Sequence, residues 1–513
     1  MGLAEAGFED SFRPLAQSRV RSLLAEVERI LAKQGTEAYV VGGWVRDVLL
    51  GRDTADIDIA LAGDALAIAP KVASALGGMP VLLDEVNRVA RVVLLEQEGP
   101  PPKVQWHLDF STFPGTIEPD LARRDFTIDA MAVNLHQFVR GLPAVQVIDP
   151  FHGRDDLRER VIRVVAETVF TADPVRLLRA VRLAAELGFT VDRDTEALIQ
   201  RDAHLIARVA GERVREELLR LLSVPGSGRF LPYLAQLGLL TAIFPELALT
   251  KGVVQPREHA WDVFEHSLKT VVAIDFLLHE GAWEHAEAKV LASVPWSAAL
   301  AQHFDQEVSS GSTRKTLLRL GGLLHDIAKP KTKTIEAGGR IRFLGHAQEG
   351  AVMATNILER LRFSVKEIRF VELLIRHHLR PGQMSQQELP TRRAIYRYFR
   401  DTGEVGIDIL FLSLADHLAT RGPDLDPAHW QEHTGVVRYV LEQHSHEEPH
   451  PLKLVDGYDI MNIFGISPGP QVGKLLEAVR EVQAAGEVSS REAALDLIKK
   501  LLEKQNSIEE KED

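Results

Sequence analysis

The stretch whose reading decides the fold is VGGWVRDVLLGRDTADIDIA, residues 41–60. An apolar run ends in Gly42 and Gly43, a short helical stretch carrying Arg46 and Asp47 follows, and a second apolar run holds Asp56 and Asp58 one residue apart. Side chains at i and i+2 of a strand point to the same face, so the two carboxylates project together. Two like charges that close are costly unless cations lie between them. Ile57, Ile59 and Ala60 are expected to turn the other way, into a core. A pair of divalent ions about 3.5–4 Å apart accepts such carboxylates and clamps an in-line phosphoryl displacement. The two glycines let backbone N–H groups approach a triphosphate closely. Arg46 offers a charge contact to phosphate, with Asp47 as a helix-start carboxylate. Taken alone, the stretch also fits a solvated edge strand preceded by a plain turn.

Around it, residues 15–34 read as an amphipathic helix, and VARVVLLEQ and VQWHLDFSTF as further strands separated by the turn-rich EGPPPK. FTIDAMAVNL and VIDPFHGRDDL follow, and from about residue 171 the pattern turns helical and stays so. Residues 247–258 read as a linker, 259–450 as a histidine-rich helical region, and ISPGPQVG as a break before a last helical stretch whose charged end, NSIEEKED, is expected to fray. The fold class is therefore α+β: a mixed head at 1–150, then all-α regions at 151–250, 255–450 and 451–513. Three or four domains suit a chain of 513 residues.

Composition excludes several classes. The chain has no cysteine, so disulfides and thiolate metal sites are ruled out, and any metal is held by His, Asp or Glu, which favours Mg²⁺, Mn²⁺ or Fe. No apolar run is long enough to span a bilayer, and the first residues lack a signal-peptide pattern; a cytoplasmic protein with no membrane partner is expected. The net charge of −13 means that any grip on nucleic acid must come from local basic patches.

The opening stretch resembles the signature of the class II nucleotidyltransferases of the polymerase-beta superfamily, the tRNA CCA-adding enzymes and their poly(A) polymerase relatives. The resemblance continues in order through LARRDFTIDAMAVNL (121–135), IDPFHGRDDLRERVIRVV (148–165), DPVRLLRAVRLAAELGF (173–189) and GERVREELLRLL (211–222). It implies Asp56 and Asp58 as ligands of Mg²⁺, with Asp109 as the third acidic residue. It places Arg123, Arg124 and Asp125 against triphosphate and ribose, and Asp149 and Arg154 at a hinge. Asp173, Arg176, Arg179 and Arg182 fall in its nucleotide-selecting motif. Asp173 and Arg176, three apart on a helix, would share a face. A carboxylate acceptor beside a guanidinium donor matches the Watson–Crick edge of cytosine and, slightly shifted, of adenine. Outside this context they would be an ordinary ion pair.

Two departures bear on substrate. The family usually carries Glu before that aspartate; here Ala172 stands there. Its full CCA-adding members carry a flexible loop after the third carboxylate strand that works as a lever between C and A recognition. Here residues 110–122 alone separate Asp109 from Arg123, as if the loop were deleted. The resemblance thus implies transfer from CTP, and from ATP only in a full CCA-adding enzyme, to the 3′ end of tRNA. A CC-adding enzyme would act in sequence with a separate A-adding one. A poly(A) polymerase, or a phosphohydrolase whose head merely binds nucleotide, are the other readings.

The helical remainder brings a second constellation: His266, His325 with Asp326, His346, His377 with His378, and Asp416, each in an apolar helical context. Singly, such histidines are usually satisfied core residues. Together the order resembles the HD superfamily of metal-dependent phosphohydrolases. That implies one divalent ion (Mg²⁺, Mn²⁺ or Ni²⁺) on His266, His325, Asp326 and Asp416, a second completed by His346, His377 and His378, and Lys329 steadying a phosphate. Arg213, Arg215, Arg392, Arg393, Arg397, Arg400 and Lys474 are candidate RNA contacts, although basic residues on helices are mostly a solvated face.

Overall fold

The computed structural model describes residues 19–95, 104–141, 146–285, 288–384, 389–446 and 453–512. The expected turn at 98–103 and the start of the first helix lie outside these residues. The described residues form two compact units, one running to Val209 and including Leu237–Ala242, the other made of Ala210–Gln236 and Ile243 onward.

In the first unit, strands Ala38–Val41 (β1), Asp56–Leu61 (β2), Met79–Asp84 (β3), Val89–Leu95 (β4), Val104–Thr112 (β5), Ala132–Asn134 (β6) and Val147–Ile148 (β7) make one sheet in the order β3-β4-β5-β2-β1-β6-β7. Within this sheet, among the described residues, β2 and β5 are the parallel pair; Asp58 sits opposite Asp109 there, and opposite Val41 on β1. A parallel neighbour needs a crossover. The chain makes it through helix Ala65–Leu76, started by the Asp64 carboxylate on the Leu66 N–H and stopped by Gly77 in the left-handed region, and then through β3 and β4. β3 was not foreseen: MPVLLD lacks alternation, and as the edge strand it leaves Met79, Leu82 and Leu83 exposed. Ile57 and Ile59 are buried as expected. Ala60 is buried too, but alternation puts it on the face of Asp58, where it packs with Val41, Phe113, Ile117, Leu121 and Ala132.

Beyond the sheet, Asp149 accepts from the N–H groups of Gly153 and Arg154 and so starts helix Gly153–Glu159. Asp156 on that helix takes the Thr127 hydroxyl at 2.6 Å and Arg163 at 3.1 Å, and Arg163 also reaches Asp192. The second and third motifs are thus one welded piece, on which helix Arg176–Leu187 is mounted.

The second unit is helical, with Val263–Leu277, Arg314–Leu324, His346–Arg360, Val365–His377 and Gly406–Arg421 carrying its centre. Two short ladders, Glu307–Ser309 with Ser312–Thr313 and Lys333–Ile335 with Ile341–Phe343, interrupt the expected all-α pattern. Arg319, fully buried, bonds Asp275, Glu280 and the Leu222 carbonyl, tying the 211–223 helix to this bundle. The tail helices Gly457–Phe464, Pro470–Ala484 and Arg491–Glu512 share their own apolar cluster, including Ile460, Leu475, Val479 and Ile498. The last helix continues through the end that was expected to fray.

Candidate active site and metal centre

The first site is built across the middle of the sheet. β1 ends in Gly42, whose φ of 71° only glycine adopts readily. A β-carbon there would collide with the Arg124 guanidinium and come within 2.9 Å of the Asp58 carboxylate. The Gly42 N–H donates to the Met131 carbonyl, so it is not free for phosphate as expected; Gly43 instead opens helix Gly43–Leu49. Arg46, expected to touch phosphate, is largely buried. It donates to Asp47 and, at 2.7 Å, to Asp129, so it locks this helix to the second motif.

Asp58 is half-buried. Burial and the nearby Asp109 and Asp129 carboxylates, against the opposing Arg124, push its carboxyl up to about 6. Asp56, two residues back on the same face, is open: its side chain is 73% exposed, and its Oδ1 lies 2.8 Å from His107 Nδ1 on β5. Asp109 has both oxygens taken by Arg91 on β4, at 2.7 and 2.8 Å. A row of charged side chains therefore crosses the strands, with Asp109 between Arg91, its ion-pair partner, and Asp58, a like charge. His107, Arg91 and Asp129 were not singled out from the sequence. The signal for Asp129 was present, an acid inside the apolar FTIDAMAV.

Arg123 is exposed beside Asp120. Arg124 points inward, with Nη1 3.4 Å from the Asp129 carbonyl. Asp125 is buried; burial would raise its carboxyl, but Arg179 and Arg176 hold it below the ordinary value, and Arg179 lies 3.0 Å away. Asp173 and Arg176 do come together, at 3.9 Å, but not on one helix: Asp173 is extended, with φ −148°, because Pro174 follows it, and the helix begins at Arg176. Arg176 also donates to the Arg123 carbonyl, which links the two motifs. Arg182 is 1% exposed and paired with Glu186, so it belongs to the interior rather than to a nucleotide.

The second constellation closes more tightly. His266, His325 and Asp416 form one group and Asp326, His346 and His378 another, all ligand atoms of a group lying within 4.8 Å of one another. Asp326 joins them: its Oδ2 lies 3.3 Å from His266 and 3.2 Å from His325, its Oδ1 3.3 Å from His346. The expected partition, with Asp326 on one ion alone, is thus corrected to a shared carboxylate. His377 belongs to neither group; it ends helix Val365–His377 and is half-buried, and its neighbour His378 turns inward. In His325, His346 and His378 the Nδ1 atom sits 2.7–2.8 Å from a backbone carbonyl three residues earlier, at Gly322, Phe343 and Ile375. A carbonyl can only accept, so each Nδ1 carries a proton and each Nε2 is the nitrogen turned inward, toward Asp326. Burial would keep His325 neutral, yet Asp326 and Asp416 push it up to about 10; burial with His325 nearby pulls His378 down to about 3. Lys329 reaches Asp326 at 2.5 Å and Gln255 at 2.7 Å. Gln255 lies in the expected linker, which is therefore part of the wall of this centre, as is His259, whose ring is 5.7 Å from that of His266.

The comparisons match this layout. The poly A polymerase head domain matches residues 38–163, the probable RNA and SrmB-binding site of polymerase A residues 188–250, and the HD domain residues 294–421. His266 joins the cluster of candidate metal ligands from outside the last match. The chain is 35% identical to the CC-adding tRNA nucleotidyltransferase of Thermus thermophilus, over 89% of this chain and 92% of that one. It is 32% identical to the A-adding tRNA nucleotidyltransferase of Deinococcus radiodurans, over 91% and 96%. A CCA-adding enzyme in complex with ATP superposes with a TM-score of 0.63 at 22% identity, covering 96% of this chain and 98% of that one. The Thermotoga maritima CCA-adding enzyme complexed with tRNA gives 0.59 at 22%, over 95% and 96%. The chain belongs to the tRNA nucleotidyltransferase family, on the poly(A) polymerase head fold with an HD domain.

Proposed function

We propose that this protein adds two cytidylates from CTP to the 3′ end of tRNA, leaving the terminal A to a separate enzyme. One observation carries the CC-only reading. Between the end of β5 at Thr112 and helix Glu118–Leu121 stand five residues, and the path is nailed down by Phe113, Ile117 and Leu121, each 3% exposed or less. A lever that reshapes a pocket needs slack chain, and a segment with three core anchors in nine residues has none. Two CC-adding relatives, from Thermus thermophilus and Geobacter sulfurreducens, agree with this; the A-adding relative makes the direct test necessary.

Asp56 and Asp58 fit a divalent ion. One carboxylate is open, and the next on the same face is raised by burial and then by like charges, the state a cation relieves. Bound there, such ions supply Lewis-acid activation and neutralise charge developing on the phosphoryl group. Asp109, held by Arg91, sets the charge beside Asp58. Arg124 faces the incoming phosphates, Asp125 with Arg179 supports the ribose side, and Asp173 with Arg176 reads the base. Asp149 and Arg154 serve as the hinge of a four-part chain with boundaries near 150, 250 and 450. Among the described residues no helix is long and apolar enough to cross a membrane, in keeping with work on tRNA in the cytoplasm.

Purified protein with Mg²⁺, tRNA trimmed of its 3′ end and each labelled NTP separately tests this. Two residues from CTP and none from ATP are expected. ATP incorporation onto tRNA ending in CC would overturn the CC-only reading.

A second activity is favoured by the three inward-facing Nε2 atoms around Asp326: hydrolysis of a phosphate ester, for which a divalent ion held by these residues would supply Lewis-acid activation of water, with Lys329 beside the Asp326 carboxylate. These donors fit Mn²⁺, Ni²⁺ or Mg²⁺. Phosphate release that is lost in Asp326→Ala while CTP incorporation persists is the expected result.

A further inference from the structure

Four arginines on helix Arg392–Thr402 stood out in the sequence as RNA contacts, and in the structure three of them are ion-paired with the tail. Arg393, Arg397 and Arg400 lie on one face at i, i+4 and i+7, with Tyr396 between them, while Ile395 and Tyr398 turn into the core. Each of the three meets carboxylates of the tail. Arg393 Nε is 3.2 Å from Glu481 and its Nη2 3.3 Å from Glu487. Arg397 is 2.6 Å from Glu481, and Arg400 3.3 Å from Glu477, which also accepts from the Tyr396 hydroxyl at 3.1 Å. The arginines remain 37–52% exposed. The helix bearing Glu477 and Glu481, Pro470–Ala484, buries its apolar side, Val472, Leu475 and Val479, in the tail's own cluster rather than in this seam.

Such a seam has the chemistry of a competitor. Guanidinium groups in a row with an aromatic among them bind a phosphate backbone and its bases. Carboxylates at matching spacing are the protein's nearest equivalent of phosphates. Partly exposed ion pairs contribute about 0.2–1 kcal/mol each, so a polyanion can displace the whole row.

We propose that the tail helix Pro470–Ala484 stands in for RNA: its glutamates occupy an arginine row that takes the tRNA backbone when the tail lifts away. In a chain of net charge −13, this keeps a basic patch from holding RNA indiscriminately, since only a ligand gripped elsewhere as well displaces the tail. The inference rests on tRNA as the substrate.

The test is tRNA binding by the full chain carrying Glu477→Gln, Glu481→Gln and Glu487→Gln. At about 50 mM salt the variant should bind trimmed tRNA about five-fold or more tighter than the natural chain, with the gain shrinking as salt rises. Adding Arg393→Gln, Arg397→Gln and Arg400→Gln should abolish the gain. Equal or weaker binding by the folded Glu→Gln variant overturns the proposal, as does a gain that survives loss of the arginines, which would be a mere net-charge effect. Should that variant fail to fold, hydrogen exchange on the natural chain decides: tRNA should deprotect residues 470–484, and unchanged protection overturns the proposal. Absence of any tRNA binding by the natural chain would instead sink the substrate reading.

Discussion

Asp58 shows how a single side chain records its task in its energetics. Its carboxyl is raised to about 6, first by burial and then by Asp109 and Asp129. Its folded value thus lies above the ordinary value near 3.9. Ionising it costs the folded state more than the unfolded one, a penalty absent below pH 4, growing to pH 6 and complete above. Asp58→Asn should therefore stabilise the chelator-treated protein by about 1–2 kcal/mol at pH 7.5 and not at pH 4, while abolishing nucleotide addition. Denaturant melts at the two pH values check this. Arg91 acts in the opposite sense. Arg91→Leu leaves Asp109 without its bidentate partner, and about 1–3 kcal/mol of stability should be lost at neutral pH. Asp56 and Asp58 were legible because two acids sharing one face of an apolar run repel each other unless a cation sits between them. Arg91 and His107 were not, because an arginine or histidine in an amphipathic strand reads as a solvated side chain until the register places it opposite a carboxylate.

At the scale of elements, the weld between the second and third motifs carries more than either alone. Asp156 serves Thr127 and Arg163 at once, with the Arg163 carbonyl accepting from the Thr127 N–H. Asp156→Ala strips both partners and should cost about 3–5 kcal/mol. It should also raise the KM for CTP, because helix Arg176–Leu187, and with it Arg176 and Arg179, loses its mount. Thermal melts and steady-state kinetics check both. The connection after β5 makes a sharper prediction. Ile117→Ala should cost about 2–5 kcal/mol as a core truncation. A Gly-Ser insertion at exposed Gly115 should cost under about 1 kcal/mol, which measures how firmly the flanking anchors hold. The short spacing from Asp109 to Arg123 was plain in the sequence. That the spacer is pinned was not, since FSTFPGTIEPDLA mixes apolar and turn residues without period.

For the whole molecule, the expected balance is a mixed head followed by helices, and the structure bears it out. The HD centre makes the prediction that belongs here. Its six candidate ligands come from five separate stretches of chain, so ions bound at its two groups would cross-link them all. Chelation should lower the melting temperature, by an amount corresponding to about 2.7 kcal/mol if the ion is present at a hundred times its dissociation constant. Mn²⁺ should restore it, and Asp326→Ala should show no response to chelator. The sequence by itself determined where the two candidate sites lie, because paired acids in a strand and spaced histidines on apolar helices are local patterns with few physical causes. Only the tertiary structure decided which side chains meet. It set Asp326 between two groups of candidate ligands, left His377 out, drew Gln255 in from the linker and buried Arg182. It also spent the arginines of helix 392–402 on the tail. Each of these depends on helix rotation and packing, and residues far apart in the chain acquire their distances only when the core that orients them has formed.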